Sequence, residues 1–359
     1  MPWAFALVMA LVLRQQQQPA TPPQQKPAEV KPAAPQDKPA NKPEEQPTFT
    51  SGRTEVNVPF TVLDLNDRMV TDLKKENFTV YEDNQKVDVT YFSSLTKVPL
   101  RVGLLIDTSN SVRLYFKQQQ EAANDFIHNI VEANSKNRIF LMSFDFTKEF
   151  LTDFSNDADT LTSKVRKLKA GGGTALHDAI VVACRERLGK QMEAGGLNRV
   201  AVLITDGEDD SSKYSLDEAI AAARAASVAV YSIATVPYGY NGDGEKVLQR
   251  LATETGGRVV YPWKKPPSAD YATGYLSKHQ IDGQNSVYEV GSGQYSSETA
   301  ENLAQALSLI QRELQMQYTL RYVPPSLSID GRFRKIRVEM DVPGLKLRAR
   351  PGYFPPMYQ

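Results

Sequence analysis

Cysteine is almost missing: Cys184 is the only one in 359 residues. An intramolecular disulfide and any thiolate-rich zinc or iron–sulfur centre are therefore excluded. Charge of one sign is also lacking, since Lys plus Arg and Asp plus Glu number 42 each. No global field draws the chain toward nucleic acid or an anionic membrane, and a nucleic-acid partner is not expected. Long hydrophobic runs are absent too. The longest, residues 3–13, spans only about 17 Å as a helix, against roughly 30 Å of bilayer core, so no transmembrane span is expected. Signatures of several enzyme classes are lacking as well. GGGTALHD has no lysine to complete a phosphate loop, and no Gly-x-Ser-x-Gly elbow occurs.

What is present suffices for two to three domains with a large apolar core. The run at 3–13, followed by Arg14, reads as the core of a secretory signal over 1–14, although no Lys or Arg precedes it and no small-x-small site follows. That reading implies an exported protein, in the periplasm, the cell envelope or the medium. Residues 15–50 are dominated by Pro, Gln, Lys, Glu and Ala and cannot offset their own ordering entropy, which predicts a disordered linker.

From 51 to 97 the pattern has period two. Val56, Val58, Phe60 and Val62 alternate with polar residues, Phe78 and Val80 lead to the Asp83-Asn84 turn, and Val87, Val89 and Tyr91 alternate beyond it. The pattern returns over 318–355 in Tyr318, Leu320 and Tyr322, then Ile336, Val338 and Met340, then Leu345 and Leu347. Neither half has enough strands to bury a face alone. The two ends are therefore expected to pair into one small antiparallel β module, with a central domain inserted between them.

Residues 98–317 alternate strand and helix, as in a mostly parallel sheet covered on both faces. Strands are expected at 102–106, 139–144, 200–204, 228–233 and 258–261, with an edge hairpin near 150–154. Helices are expected at 112–131, from Asp157, from Thr174, at 216–226 and 245–255, and through Leu303, Leu307, Ile310 and Leu314. Cys184 shares the apolar side of a helix with Leu176, Ile180 and Leu188 and reads as a core residue. The polar segment 262–297, with Tyr271, Tyr275, Tyr288 and Tyr295, reads as a long flexible insertion. The C-terminal Arg332, Arg334, Lys335, Arg337, Lys346, Arg348 and Arg350 read as a charged solvent face guarding a sheet edge, or else as a surface for an acidic partner.

Five oxygen-bearing side chains fall at informative places: Asp107, Ser109 and Ser111 in LLIDTSNSV, Thr174 in GGGTALHD, and Asp206 in LITDGED. Asp107 and Asp206 each follow a core strand, and Thr174 opens a helix after three glycines. Ligands of an open parallel sheet bind beyond the carboxyl ends of its strands, so all five can converge on one rim. Taken singly, Ser111 and Thr174 could cap helices, and Asp206-Gly207 could be an ordinary turn.

The order Asp-x-Ser-x-Ser, a distant Thr, then a distant Asp closely resembles the metal-ion-dependent adhesion site (MIDAS) of the von Willebrand factor A (VWA) domain. NFTVYEDNQKVDVTYFSS before the domain, and QYTLRYVPPSLSIDGRFRKIRVEMDVPGLKLRARPGYF after it, resemble the flanks of the acidobacterial VWFA-related domain family. The resemblance covers about residues 50–355, and the 262–297 segment departs from the compact form. It implies a Rossmann-like VWA domain binding Mg²⁺, or Mn²⁺ or Ca²⁺, through Ser109, Ser111 and Thr174, with Asp107 and Asp206 binding directly or through water. Asp178, Gly173 and Gly207 stand as candidate second-layer residues. The acidic run Glu208, Asp209 and Asp210 reads as a solvated loop, or else as a long-range field that raises cation affinity. Hard divalent ions want such oxygens.

Two carboxylates at best neutralise a +2 ion, leaving it electrophilic toward the Asp or Glu of a partner protein. The expectation is thus a non-enzymatic, cation-dependent protein-binding module. Two alternatives stand beside it. One is an envelope scaffold whose metal is stabilising or vestigial. The other is a Mg²⁺-dependent phosphoryl-transfer enzyme, against which Ser109 occupies the position where aspartyl phosphatases of the haloacid dehalogenase type carry a second Asp.

Overall fold

A computed structural model describes residues 55–94, 98–113, 116–191, 196–235, 242–262, 294–328 and 330–355, with backbone only over 294–300. The signal-like segment, the 15–50 linker and the four tyrosine side chains of the 262–297 segment lie outside the described residues.

The first strands follow the period-two pattern. β1 (Val56–Leu63) begins with strict alternation of buried and half-buried positions. β2 (Phe78–Glu82) and β3 (Gln85–Val87) are joined by Asp83 and Asn84, both at positive φ, the backbone that a two-residue hairpin matched to strand twist requires. β4 (Val89–Ser93) then leads into the central domain.

That domain opens with β5 (Leu100–Asp107), followed by α1 (Phe116–Ala133), β6 (Arg138–Phe144), β7 (Lys148–Phe150), α2 (Ala158–Val165) and α3 (Leu176–Glu186). It continues through β8 (Asn198–Thr205), α4 (Leu216–Ala225), β9 (Val228–Ala234), α5 (Asp243–Thr255), β10 (Val259–Val260) and α6 (Gln294–Gln315). Six strands form one sheet in the order β10-β9-β8-β5-β6-β7. Every neighbouring pair is parallel except β6 with β7. Leu104 and Ile106 pack with α1, α2 and α6 on one face, while Leu105 packs with α3, α4 and α5 on the other. A strand buried on both faces reads as a continuous apolar run, which explains LLI and VLI. Polar caps mark helix starts: Asp157 accepts from Thr160 N, and Ser215 and Glu218 form a reciprocal capping box.

The boundaries differ from the sequence reading in three places. The edge strand is Lys148–Phe150 rather than a hairpin at 150–154. α6 begins at Gln294, inside the segment read as an insertion. α3 begins at Leu176 with Ala175 at its cap, so Thr174 precedes the helix rather than opening it.

β11 (Tyr318–Tyr322), β12 (Arg334–Met340), β13 (Lys346–Ala349) and β14 (Gly352–Tyr353) complete the chain. They interleave with the first strands in two four-stranded sheets, β13-β1-β11-β4 and β14-β12-β2-β3. The sheets share a core in which the Phe60 ring lies 4.9 Å from Phe78 edge-on and 5.2 Å from Tyr318 in a stack. β4 and β11 are antiparallel neighbours, so the chain leaves the sandwich and re-enters it at adjacent strands. The paired-ends expectation is thus met by a sandwich of two sheets.

The C-terminal basic residues do not all face solvent. Lys335 and Arg337 are exposed, but Arg334 is buried against Glu82, and Arg348 turns inward to Glu313. Alternation identifies the face of a strand; it does not reveal what covers that face. Glu313, on the last turn of α6, also accepts from Tyr231 OH at 2.9 Å and Thr61 Oγ1 at 3.3 Å, and lies 3.5 Å from Arg258. It links α6, β9 and both β1 and β13 of the sandwich.

Cys184 is fully buried, and burial pushes its thiol up to about 12. Iodoacetamide is expected to leave the native protein unmodified and to label it only in denaturant; labelling at native conditions would place the thiol elsewhere.

Candidate metal centre

The carboxyl ends of β5 and β8 are neighbours in register, so Asp107 and Asp206 emerge side by side. Both are nearly inaccessible. Burial first, and then the charge of Asp206, pushes the Asp107 carboxyl up to about 7. Two adjoining carboxylates in a dry site repel, and folding tolerates them when hydrogen bonds or a cation compensate. Hydrogen bonds do part of this: Asp107 Oδ1 accepts from Ser109 N at 2.8 Å and Oδ2 from Thr205 Oγ1 at 2.6 Å. No Lys or Arg among the described residues pairs with either carboxylate.

Ser109 and Ser111 stand beside them, their hydroxyls 2.9 Å apart. The loop that carries them is knit to the glycine loop by Asn110 N to Gly172 O at 3.0 Å and Gly171 N to Thr108 O at 2.7 Å. Thr174, at the end of the glycine loop, is bound to the loop after Asp206 from both sides. Its N–H donates to Asp210 Oδ1 at 2.9 Å, and its carbonyl accepts from Asp210 N and Ser211 N. Three loops therefore meet, two from the ends of β5 and β8 and one from between α2 and α3, bringing Asp107, Ser109 and Ser111 into direct contact and setting Asp206 and Thr174 alongside. The Thr174 hydroxyl makes no cap, which leaves its oxygen for other use.

Close contacts surround two of the glycines, against backbone at Gly207 and against a movable ring at Gly173. Gly207 has φ +83, and a Cβ there would meet Gly244 O at 2.4 Å and Leu248 Cγ at 2.7 Å. A Cβ on Gly173 would overlap the Phe146 ring, with Cε1 at 2.2 Å. Phe146 itself is 61% exposed on the same rim, a solitary apolar surface next to the loops.

Asp178 accepts from Lys213 N, Tyr214 N and Lys148 Nζ, at 2.8, 3.0 and 3.0 Å. Burial opposes its charge, yet those three donors hold its carboxyl below the usual range. It organises the loop that follows Asp206.

Sequence reasoning missed four participants. Thr205 orients Asp107, and its Oγ1 also accepts from Gly207 N at 3.1 Å. Asp209 accepts from His177 N at 2.8 Å, and Asp210 ties down Thr174, whereas the run Glu208 to Asp210 read as a solvated loop. Ser211 and the Thr174 amide hold the Asp210 carboxyl below its ordinary value. Gly244 seats the α5 N-terminus against Gly207. For Asp209 and Asp210 the only sequence signal was their position between a core strand and a capping box; Thr205 and Gly244 carried none.

The donor set suits a hard divalent ion: carboxylates and hydroxyls, with no imidazole or thiolate. Among the described residues no group of three or more His, Cys, Asp or Glu side chains stands at metal-binding spacing, so hydroxyls would have to complete any coordination here. Also among the described residues, no helix is long and apolar enough to cross a membrane.

Residues 102–269 match the model of the von Willebrand factor type A domain. No curated protein matches the chain. Among solved structures, the vWF domain of the type V pili tip protein Mfa5 from Porphyromonas gingivalis is 25% identical over 32% of this chain and 40% of its own, with a TM-score of 0.29. BatB from Bacteroides thetaiotaomicron is 20% identical over 50% of this chain and 98% of its own, with a TM-score of 0.35. The PilB minor pilin from Streptococcus sanguinis is 15% identical over 62% of each chain, with a TM-score of 0.41. The chain spans less than half the length of the first solved structures it matches, at 40%, 27% and 48%. A von Willebrand factor type A domain is therefore present at residues 102–269, its mostly parallel sheet lying between two helical layers and set within the strands of a β-sandwich.

Proposed function

We propose that the protein is a cation-dependent protein-binding module that acts outside the cytoplasm, with its apolar run at 3–13 serving export. The carrying observation is the buried pair Asp107 and Asp206, side by side with no cationic side chain of the described residues against them. Ser109, Ser111 and Thr174 would hold a divalent ion with them as a MIDAS, in a chain whose flanks resemble those of the VWFA-related family. Bound there, Mg²⁺ or Mn²⁺ would offer a Lewis-acidic position to an Asp or Glu of a partner. Ser109 and Ser111 supply oxygens without charge, so the positive charge persists toward the rim. Asp178, Asp209 and Asp210 keep the three loops in register, and the exposed Phe146 supplies apolar contact beside the carboxylate.

Isothermal titration of Mg²⁺ or Mn²⁺ into EDTA-treated protein is the test. One equivalent is expected to bind wild type and none to bind Asp107→Ala, whose metal-free melting temperature should be at or above that of wild type because a buried like-charge contact is gone. Peptides carrying a single Glu should then bind only with metal, and their Gln counterparts should not. Equal metal uptake by wild type and Asp107→Ala, or equal capture of Glu and Gln peptides, would refute the reading.

A further inference from the structure

At the opposite end of the sheet, roughly 25 Å from Asp107 by the length of β8, a cavity of about 540 Å³ separates the VWA domain from the sandwich. Its volume is in the range that holds small organic ligands, roughly 300–1,000 Å³. Arg199, at the start of β8, and Arg350, after β13, both line it. Burial holds the Arg199 guanidinium below its usual value, and burial together with the charge of Arg199 brings Arg350 down to about 10.

Neither arginine has a carboxylate partner among the described residues. Arg199 donates to the carbonyl of Gln191, and Arg350 to the carbonyl of Asn57 at 2.7 Å. Other inward-turned arginines of this chain are paired: Arg334 with Glu82, Arg348 with Glu313, Arg224 with Glu254. Glu55, a carboxylate on the cavity wall, is engaged by Thr90 at 2.8 Å and Arg321 at 4.0 Å. Asn57 Nδ2 donates to Asn198 Oδ1 at 3.1 Å, and three polar atoms of the lining are buried without a partner among the described residues: Arg350 Nε, Asn198 Nδ2 and Asn57 Oδ1. Two of the three are donors.

Carbonyls satisfy N–H groups without neutralising them. The C-terminal ends of α4 and α5 also reach this wall, at Ala225 and Gly256, and each carries roughly half a negative charge. Together they offset about one of the two positive charges. The remainder is a half-buried cationic site with unpartnered donors, an arrangement that an anion would complete.

We propose that this cavity is a binding site for an organic oxyanion, a carboxylate or phosphate ester, received by Arg199 and Arg350 with Asn198 assisting. Guanidinium forks match both oxyanions bidentately. The site is separate from the metal centre and does not depend on it.

The test uses the full chain in EDTA at constant ionic strength. Melting temperature and isothermal titration are followed with inorganic phosphate and, separately, with succinate, against chloride. A saturable rise of several degrees is expected with one of them, phosphate indicating a phosphate-bearing ligand and succinate a carboxylate-bearing one. The rise should vanish in Arg350→Gln and in Arg199→Gln and persist in Asp107→Ala. If one arginine variant fails to fold, the other decides, and if both fail, wild-type titration decides alone. No saturable binding by wild type would overturn the proposal, as would retention of the full effect in a folded arginine variant. Glu193→Gln is the last arm, because that carboxylate lies close in sequence to Arg199 and outside the described residues. Anion binding that appears only in Glu193→Gln would show the counter-charge to be internal and would equally refute the site.

Discussion

Glu313→Gln is expected to lose about 3 kcal/mol of folding stability, read as a lower denaturant midpoint with an unchanged slope. The side chain is 1% exposed and has four partners from four parts of the chain: Arg348, Arg258, Tyr231 and Thr61. Glutamine keeps the shape and an acceptor for Tyr231 but removes the charge. Two guanidiniums then share a dry site with nothing to neutralise them. They are 24% and 21% exposed and can turn partly to water, which sets the expected loss at the low end of the roughly 3–5 kcal/mol for breaking a buried pair.

Two companion variants separate charge from packing. Lys346 and Asp67 form an ion pair at 3.4 Å with both side chains more than half exposed, so Lys346→Met should change stability by less than about 1 kcal/mol. Glu313→Leu combined with Arg348→Met should recover part of the loss, because apolar side chains tolerate that burial. A loss below about 1 kcal/mol in Glu313→Gln would mean that the network does not hold the VWA domain to the sandwich. Tyr231 gives a second readout. Burial, then the Glu313 charge, raises its phenol well above the ordinary value, so Glu313→Gln should lower the alkaline titration of that tyrosine.

How much of this was legible beforehand depends on what each residue reports. Val102 to Ile106 and Val200 to Ile204 are apolar on both faces, which is enough to place them in the middle of a parallel sheet, and their ends then locate Asp107 and Asp206. Val58 and Leu320 advertise strands by alternation, but their pairing across more than 250 residues is a property of the closed sandwich, and only the shortage of strands in each half hinted at it. Arg334, Arg348 and Arg350 look like solvent-facing charges because sequence does not show what covers their strand face; Glu82 and Glu313 are brought to two of them by tertiary contact alone. Asp209 and Asp210 misled for the opposite reason. A run of acids usually marks a hydrated loop, and here backbone amides of Thr174 and His177 consume it. The five oxygen residues stood out because carboxylate and hydroxyl oxygens at strand ends are what a hard divalent ion would need. The supports were not, since a threonine or glycine that orients a ligand differs in no local respect from one that does not.

Gly207→Ala tests those supports where the two layers meet. With φ at +83, alanine costs about 1–2 kcal/mol from backbone strain, and the overlap of its Cβ with Gly244 O adds about 1–3 kcal/mol of overpacking. The neighbour cannot yield cheaply, because the atom at 2.4 Å is backbone in the first turn of α5. Relief must come from the Gly207 side, and Asp206 is its immediate neighbour. The variant should therefore lose about 2–4 kcal/mol and, where still folded, bind Mg²⁺ or Mn²⁺ roughly 10–100-fold more weakly, as when second-layer support is removed. Gly171→Ala is the matched control in the glycine loop: no atom lies within 4 Å of its added Cβ and its φ is ordinary, so both stability and metal affinity should stay near wild type. A Gly207→Ala protein that melts with wild type would show that the loop has room to move away from α5. One that is destabilised yet binds metal with unchanged affinity would separate the fold of this rim from the placement of Asp206, and would remove Gly207 from the account of the site.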